Sequence, residues 1–179
     1  MTLYTVGHSN LSFGEFLSLL ERHGIATVVD VRSAPYSKHA PQFNKAELEM
    51  ELPEAGIRYV YEGAALGGRP REAECYRHGA VPEEGTDYLH EVDYAAVMRR
   101  PWFLQGVQRL IAEAAAAPTA VLCSEADPLQ CHRHHLLARF LGEAHPEVEV
   151  RHVVQQGDFA ARDLPSVADQ PTSDQLSLF

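Results

Sequence analysis

The chain has 179 residues, 45% of them hydrophobic, with a formal net charge of −10 and three cysteines. This length and composition fit one domain of ordinary size with a tail, and the small, odd set of cysteines argues against a disulfide framework. The acidic balance excludes a general electrostatic attraction to nucleic acid, because that attraction depends on cations that neutralise phosphates.

Neither a membrane span nor a signal peptide is predicted. The longest apolar runs are far shorter than the roughly 20 residues that a membrane-spanning helix needs. The N-terminal segment Met1-Thr2-Leu3-Tyr4 lacks a basic stretch followed by an apolar one. We therefore expect cytoplasmic localisation and no membrane partner.

Strand and helix patterns alternate along the chain. Up to residue 61 the predicted elements are a strand at 3–6, a helix from a Ser12–Glu15 capping box to Gly24, a strand at 27–31, a helix from a second cap at Asn44 with Glu47 to Gly56, and a strand at 57–61. Beyond a Gly- and Arg-rich loop, the predicted elements are helices at 86–98 and 102–117, a strand at 119–123, a helix at 130–141 and a strand at 148–154.

Strands separated by helices predict parallel pairing with helices on both faces of the sheet. We therefore expect an α/β, Rossmann-like three-layer sandwich with a mostly parallel sheet, formed by a single domain over residues 1–162. Residues 163–179 are polar, contain prolines and lack periodicity, which predicts a flexible C-terminal tail.

Polar residues follow the predicted strands, where ligands bind in open parallel sheets. They are His8 and Ser9, then Asp30, Arg32 and Ser33, then Glu62, then Ser124 and Glu125. Asp30 interrupts an apolar run, so its carboxylate needs a partner such as Arg32 or His8. A structural buried pair and a functional site both explain Asp30, whereas polar residues at four strand ends favour a site.

The segment from Ser124 to Arg133 is the richest in polar groups. A strand followed by a loop and a helix N-terminus favours anion binding. We predict that Arg133, with Arg32 and Arg69, completes a pocket for phosphate or carboxylate. In the alternative interpretation, Arg133 pairs with an acidic residue of the loop and only holds it in place.

Several motifs in order carry a family resemblance. They are Thr5-Val6-Gly7-His8-Ser9, Asp30-Val31-Arg32-Ser33 with Pro35, Leu66-Gly67-Gly68-Arg69, and Cys123 with Cys131-His132-Arg133. From roughly Thr2 to Val154 the chain resembles the bacterial domain-of-unknown-function 488 (DUF488) family. The resemblance implies a Rossmann-like α/β sandwich and, because the family has no settled activity, no particular mechanism.

Three chemical interpretations of the site remain open. In the first, the protein is a hydrolase or transferase that acts on a nucleotide or nucleic acid. Glu125 would be the general base and His8 its acid/base partner, with Asp30 as a further catalytic candidate. Phosphate would contact a set that comprises Ser9, Arg32, Ser33, Arg69, Ser124, His132 and Arg133.

The second interpretation is thiol chemistry at Cys131, beside His132 and near a predicted helix N-terminus, where a thiol pKa is lowered. The third is metal binding by Cys123, Cys131, His132, His134 and His135. Their spacing does not match a paired CxxC zinc site, so we predict no metal ligands and leave the cofactor unknown.

The last five residues provide a separate indication of function. Gln175-Leu176-Ser177-Leu178-Phe179 resembles the pentapeptide by which bacterial polymerases and mismatch-repair proteins bind the DNA sliding clamp. A short disordered peptide with apolar anchors suits this binding mode. The alternative is that these apolar residues fold back onto the domain.

These observations favour an enzyme of DNA maintenance, acting on nucleic acid or a nucleotide-like anion and tethered to the sliding clamp. Two alternatives remain: a non-catalytic module that binds a small phosphorylated ligand, and a thiol-dependent transferase unrelated to DNA. The sequence decides neither the substrate nor the oligomeric state.

Overall fold

A computed structural model describes residues 1–83 and 87–165 of the chain. The fold is α/β, as predicted, with a six-stranded sheet in the order β3-β2-β4-β1-β5-β6. The strands are β1 (Thr2–Gly7), β2 (Thr27–Asp30), β3 (Arg58–Tyr61), β4 (Thr119–Cys123), β5 (Glu149–Val154) and β6 (Gly157–Ala160). β1 to β5 pair in parallel, and β6 pairs antiparallel with β5.

Helices cover both faces of this sheet. Apart from short 3₁₀ turns, those in the described residues are α1 (Phe13–Arg22), α2 (Lys45–Glu54), α3 (Gly63–Leu66), α4 (Tyr88–Glu91), α5 (Tyr94–Val97), α6 (Pro101–Ala116), a π-helix (Arg133–Ala138) and α7 (Arg139–Ala144). Val28 packs in the core under α1 and α2, and Val29 packs in the core under α6 and α7. This alternation of adjacent strand residues is why both faces are apolar.

Only one of the two predicted capping boxes forms. At the start of α1, Glu15 Oε2 accepts from the Ser12 backbone N–H at 2.7 Å, and Ser12 Oγ accepts from the Glu15 backbone N–H at 3.2 Å. At the start of α2 the predicted N-cap position, Asn44, is confirmed, but its side chain makes no capping hydrogen bond. Asn44 Oδ1 instead accepts from the Ser37 backbone N–H at 2.7 Å, so the side chain orders the preceding loop.

Two predicted helices also differ from the structure. The helix predicted over 86–98 is wrong, because α4 and α5 are separate turns, each begun by an aspartate. Asp87 Oδ1 accepts from Leu89 N, and Asp93 Oδ1 accepts from Ala96 N. The helix predicted over 130–141 forms only from Arg133 onwards and starts as a π-helix.

β6 was not predicted. Its sequence, Gly157 to Ala160, lacks the β-branched alternation by which strands are recognised, and its pairing with β5 comes from the chain reversal at Gln155-Gln156. The antiparallel edge strand makes the sheet mixed, although it remains mostly parallel.

The register of the sheet brings the predicted site residues to one edge. Gly7 of β1 is level with Cys123 of β4. Asp30 of β2 is level with Leu122 of β4. Because these central strands run in parallel, the residues that follow them share the carboxyl edge of the sheet.

Within the described residues, no helix has the length and apolar character that crossing a membrane requires. The beginning of the predicted tail is described: the Pro165 carbonyl accepts from His134 Nε2 at 3.0 Å. The predicted clamp-binding pentapeptide, Gln175 to Phe179, lies outside the described residues.

Candidate functional site

A cleft of about 210 Å³ opens at the carboxyl edge of the sheet. The loops after β2 and β4, the Gly-rich loop after α3, and the segment around α4 and α5 form its walls. The residues that line it are Arg32, Ser33, Ala34, Gly68, Arg69, Asp87, Tyr88, Leu89, Tyr94, Cys123, Ser124, Glu125, Gln130, Cys131 and His132.

At its base lie two thiols and one imidazole. Cys123 Sγ is 3.6 Å from His132 Nδ1, and Cys131 Sγ is 3.9 Å from the same nitrogen. Both cysteines are buried, with 3% and 1% of their surface exposed, and His132 is buried at 9%. The cluster of Cys123, Cys131 and His132 is therefore shielded from water on every side except the cleft.

The position of His132 is fixed by the Gly-rich loop. Leu66 O lies 3.1 Å from His132 Nε2 and, as a carbonyl, can only accept, so Nε2 carries a proton and donates. A Cβ on Gly68 would lie 2.7 Å from His132 Cγ, so the backbone there packs directly on the ring. Only glycine permits that approach, and the imidazole is held with Nδ1 facing the two sulfurs.

The pKa values of the two thiols are shifted in opposite directions. A hydrogen bond from Cys131 and the adjacent His132 imidazolium hold the pKa of Cys123 well below its ordinary value. Burial, together with the thiolate of Cys123, raises the pKa of Cys131 well above it. Burial disfavours the charged form of His132, yet the Cys123 thiolate raises the pKa of this imidazole overall.

Glu125 brings a carboxylate to the same cluster. Its Oε2 lies 3.0 Å from Cys123 Sγ, within hydrogen-bonding distance of a thiol. Burial of the carboxyl group and the neighbouring Cys123 thiolate raise the pKa of Glu125. A carboxyl group with a raised pKa at the wall of a cleft has the properties of a general acid or base.

Asp30 is fully buried beneath the cleft and accepts four hydrogen bonds. Its Oδ1 accepts from Arg32 N and Nε at 3.0 and 2.9 Å, and its Oδ2 accepts from Arg32 Nη2 at 2.6 Å and from Tyr59 Oη at 2.7 Å. These hydrogen bonds from Arg32 and Tyr59 compensate for burying the Asp30 carboxylate within an apolar strand. Asp30 therefore acts on the cleft through the position of Arg32.

His8 is held on the other side of Arg32. Arg32 Nη1 donates to His8 Nε2 at 3.1 Å, so the proton of the ring is on Nδ1, which donates to Ser9 O at 2.9 Å. The ring stacks on Phe43 with 4.3 Å between centroids. Burial lowers the pKa of His8, which keeps the imidazole neutral.

Arg133 has a structural environment. It is fully buried, and its Nη1 and Nη2 donate to the backbone carbonyls of Glu125 and Ala126, the latter at 2.8 Å. Arg133 does not line the cleft in this arrangement, because its guanidinium donates to the loop carbonyls. The loop-holding alternative describes the contacts, although backbone carbonyls take the place of the acidic side chains.

Arg69 is the exposed cation of the cleft. Its backbone N–H donates to Ser33 Oγ at 3.0 Å, and its guanidinium carbon lies 4.6 Å from the centre of the Tyr88 ring. Within residues 1–83 and 87–165, no carboxylate lies within salt-bridge distance of this side chain. Arg69 therefore lies in the cleft as an exposed side chain.

Seven of the predicted site residues line the cleft together: Arg32, Ser33, Arg69, Ser124, Glu125, Cys131 and His132. His8, Ser9, Asp30 and Arg133 do not line it. Asp87, Tyr88 and Tyr94 were not predicted as site residues, because they lie in a segment predicted as one regular helix. The sequence favoured Cys131 for thiol chemistry, whereas it is Cys123 Sγ that lies 3.0 Å from Glu125 Oε2.

Residues 12–141 match the family model for Domain of unknown function DUF488. The chain belongs to the DUF488 family. The matched span of this DUF488 protein runs from the α1 capping box into α7 and includes every residue that lines the cleft. It leaves out His8 and Ser9. No curated protein and no solved structure matches the chain.

Proposed function

We propose that this DUF488 protein is an enzyme, a hydrolase or transferase that acts on nucleic acid or on a nucleotide-like anion bound in the cleft. The observation that carries the proposal is the position of Glu125, whose carboxylate lies beside a buried thiol and imidazole at the wall of a cleft. The same cleft holds Arg69, which has no carboxylate partner among the described residues. Perturbed titratable groups that converge in a cleft are typical of catalytic sites.

The anion is bound mainly by Arg69. This guanidinium has no carboxylate partner in the described part of the chain, and it stacks on Tyr88, which orients its donors. The Ser33 and Ser124 side chains lie in the same cleft. Arg32 adds positive charge, but its guanidinium is largely committed to Asp30 and His8.

Glu125 is the general base in this proposal. A Glu125→Gln variant keeps the size of the side chain and removes the proton acceptor, so we expect turnover to fall by about 10²- to 10⁴-fold with unchanged thermal unfolding. Turnover is measured on a panel of nucleotides and of single- and double-stranded oligonucleotides. Glu54→Gln, at an exposed position of α2, is the matched control.

Two outcomes would count against this assignment. Unchanged turnover in Glu125→Gln would remove Glu125 from the mechanism. If the variant instead changes the affinity for a nucleotide while no turnover is found in the wild type, the protein is a non-catalytic module that binds an anionic ligand.

A second candidate, a thiol-dependent transferase unrelated to DNA, is favoured by one observation. The pKa of Cys123 is lowered, and the thiolate is the nucleophilic form of cysteine. This candidate predicts rapid, selective alkylation of Cys123 by iodoacetamide at neutral pH, followed by mass spectrometry, with loss of activity. The buried Cys75, outside the cluster, is the internal control. If activity survives full alkylation of Cys123, the thiol-dependent transferase is eliminated.

The tether to a bacterial DNA sliding clamp remains a separate proposal. It is supported by the sequence of the last five residues alone, Gln175 to Phe179. Fluorescence anisotropy of the labelled full-length protein, titrated with a bacterial clamp, should give saturable binding that a Leu178→Ala/Phe179→Ala variant loses. Equal binding by wild type and variant, or none by either, would refute the tether.

A further inference from the structure

The three donor atoms at the base of the cleft are mutually close. Cys123 Sγ, Cys131 Sγ and His132 Nδ1 all lie within 4.8 Å of one another. The two sulfur-to-nitrogen distances, 3.6 and 3.9 Å, compare with about 3.6 Å for thiolate and imidazole ligands of a tetrahedral zinc ion, as follows from the usual bond lengths.

The imidazole is oriented as a metal ligand. His132 Nε2 donates to the Leu66 carbonyl, so Nδ1 is the nitrogen that faces the sulfurs and that binds a metal ion once it has lost its proton. Metal-bound histidines are usually held in this way, by a hydrogen bond from the second ring nitrogen to a carbonyl or carboxylate. Gly68 packs on the ring and fixes its plane.

The surroundings of the two sulfur atoms also favour the binding of a cation. Arg133 N donates to Cys131 Sγ at 3.4 Å, a backbone bond that stabilises a thiolate. Both sulfurs are buried and both line the cleft, so a cation that enters the cleft meets the two of them together. Thiolate and imidazole ligands select zinc over magnesium, calcium or manganese, which prefer oxygen.

We propose that Cys123, Cys131 and His132 bind one Zn²⁺ ion at the base of the cleft. Its catalytic role rests on the function proposed above. Three protein ligands leave a fourth position for water, as in catalytic zinc sites. That position faces the cleft, since all three ligands line it.

Glu125 then has a defined partner. Zinc-bound water transfers a proton to the Glu125 carboxylate, and the resulting hydroxide attacks the electrophilic atom of the substrate. The bond to the leaving group breaks with its electron pair, and Glu125 returns the proton to that group. The substrate is hydrolysed with no further reactant.

Metal binding is tested on the full-length protein, stripped of metal and titrated with Zn²⁺ in competition with a chromophoric chelator. We expect one Zn²⁺ per chain. Cys123→Ser, Cys131→Ser and His132→Gln should each lower the affinity by at least about 100-fold, more than is lost with an outer-shell partner. Cys75→Ser, the matched control, should bind like the wild type. Weak binding that these variants leave unchanged would overturn the proposal.

Cobalt substitution tests the ligand set without any variant. Co²⁺ added to the metal-free wild type should give visible bands of a tetrahedral ion and sulfur-to-cobalt charge-transfer absorption for two thiolates. An octahedral spectrum without charge transfer would contradict the site. This readout remains informative even where a variant fails to fold.

The metal site and the enzymatic function fail separately. Turnover by fully metal-free protein overturns the catalytic role of the zinc ion and leaves the proposed function in place. Stoichiometric zinc bound by the three ligands, with no turnover on any nucleotide or oligonucleotide, keeps the site and refutes the function. Glu125→Gln should retain zinc, because its carboxylate is not one of the three mutually close donors.

Discussion

Arg133 illustrates how single residues acquire their role from their neighbours. Its guanidinium binds the carbonyls of Glu125 and Ala126, and a Cβ on Gly7 would collide with both the Glu125 carbonyl and Arg133 Nη1. The loop after β4 is thus held from below by a buried cation and packed against the end of β1. In this way a residue predicted to bind ligand instead shapes the loop that carries Glu125.

Among single residues, Gly68 is the position where one added methyl group should have the clearest effect on the free energy of unfolding. Gly68→Ala places a methyl group 2.7 Å from His132 Cγ, so the ring or the loop must move. We expect a loss of roughly 1–3 kcal/mol in the free energy of unfolding, as for overpacked sites. Urea denaturation measures it.

The control for this substitution is Gly142→Ala. Gly142 is an exposed residue of α7, and a Cβ there meets no atom within 4 Å. Alanine in a helix interior should stabilise by up to about 1 kcal/mol. Equal stability of the two variants would show that the loop does not press on His132.

At the scale of elements, buried histidines connect the π-helix to the sheet. Thr5 Oγ1 donates to His152 Nδ1 at 2.7 Å, His152 Nε2 donates to His134 Nδ1 at 3.0 Å, and His134 Nε2 donates to Pro165 O. Burial lowers the pKa of both histidines, so both rings are neutral. With neutral rings and a carbonyl as the last acceptor, every proton in this chain is assigned.

This histidine chain predicts a loss of stability in acid. Burial lowers the pKa of His152 to about 3, from the ordinary value of 6.5. Burial also lowers the pKa of His134. As the pH falls, the unfolded chain therefore binds protons before the folded one does. The contribution of the neutral histidines to the free energy of unfolding is complete above pH 6.5 and declines as the pH falls towards 3. For His152 the decline is roughly 2 kcal/mol between pH 7 and 5.

A His152→Gln variant tests the prediction. The glutamine amide retains an acceptor for Thr5 and a donor for His134 but does not titrate. Urea midpoints at pH 7 and 5 should differ less in this variant than in the wild type, while His78→Gln, at an exposed site, should behave as the wild type. Identical pH dependence in all three proteins would refute the account.

At the scale of the whole molecule, the net charge of −10 limits how the protein reaches nucleic acid. We expect no measurable binding of random duplex DNA at about 0.15 M salt, because few phosphates are neutralised. With a clamp loaded on circular DNA, the protein should be retained, and Leu178→Ala/Phe179→Ala should abolish retention. Tight, steeply salt-dependent binding without a clamp would show that a local basic surface is sufficient.

Much of the architecture is encoded locally. The five parallel strands and α1, α2 and α6 follow from apolar periodicity, the Ser12–Glu15 box and the glycines at 24 and 56, which adopt positive φ angles of 61° and 75°. The family follows from short motifs. Polar residues at strand ends also predict the edge of the site, because parallel strands must end together.

Which residues come together in the site depends on contacts between segments that are distant in the sequence. The spacing between Cys123 and Cys131 does not match a paired CxxC zinc site. A 3₁₀ turn at Pro128–Gln130 and the hydrogen bond from Arg133 to the Ala126 carbonyl nevertheless fold the loop between them back. The Leu66 carbonyl, 66 positions from His132, decides which nitrogen faces the sulfurs. The sequence by itself determined the strands, the layers and the edge where polar groups gather, since these depend on local periodicity and chain direction. The tertiary structure alone decided which groups meet there, since burial, hydrogen-bond partners and the close approach of backbone to ring arise only once the chain is packed.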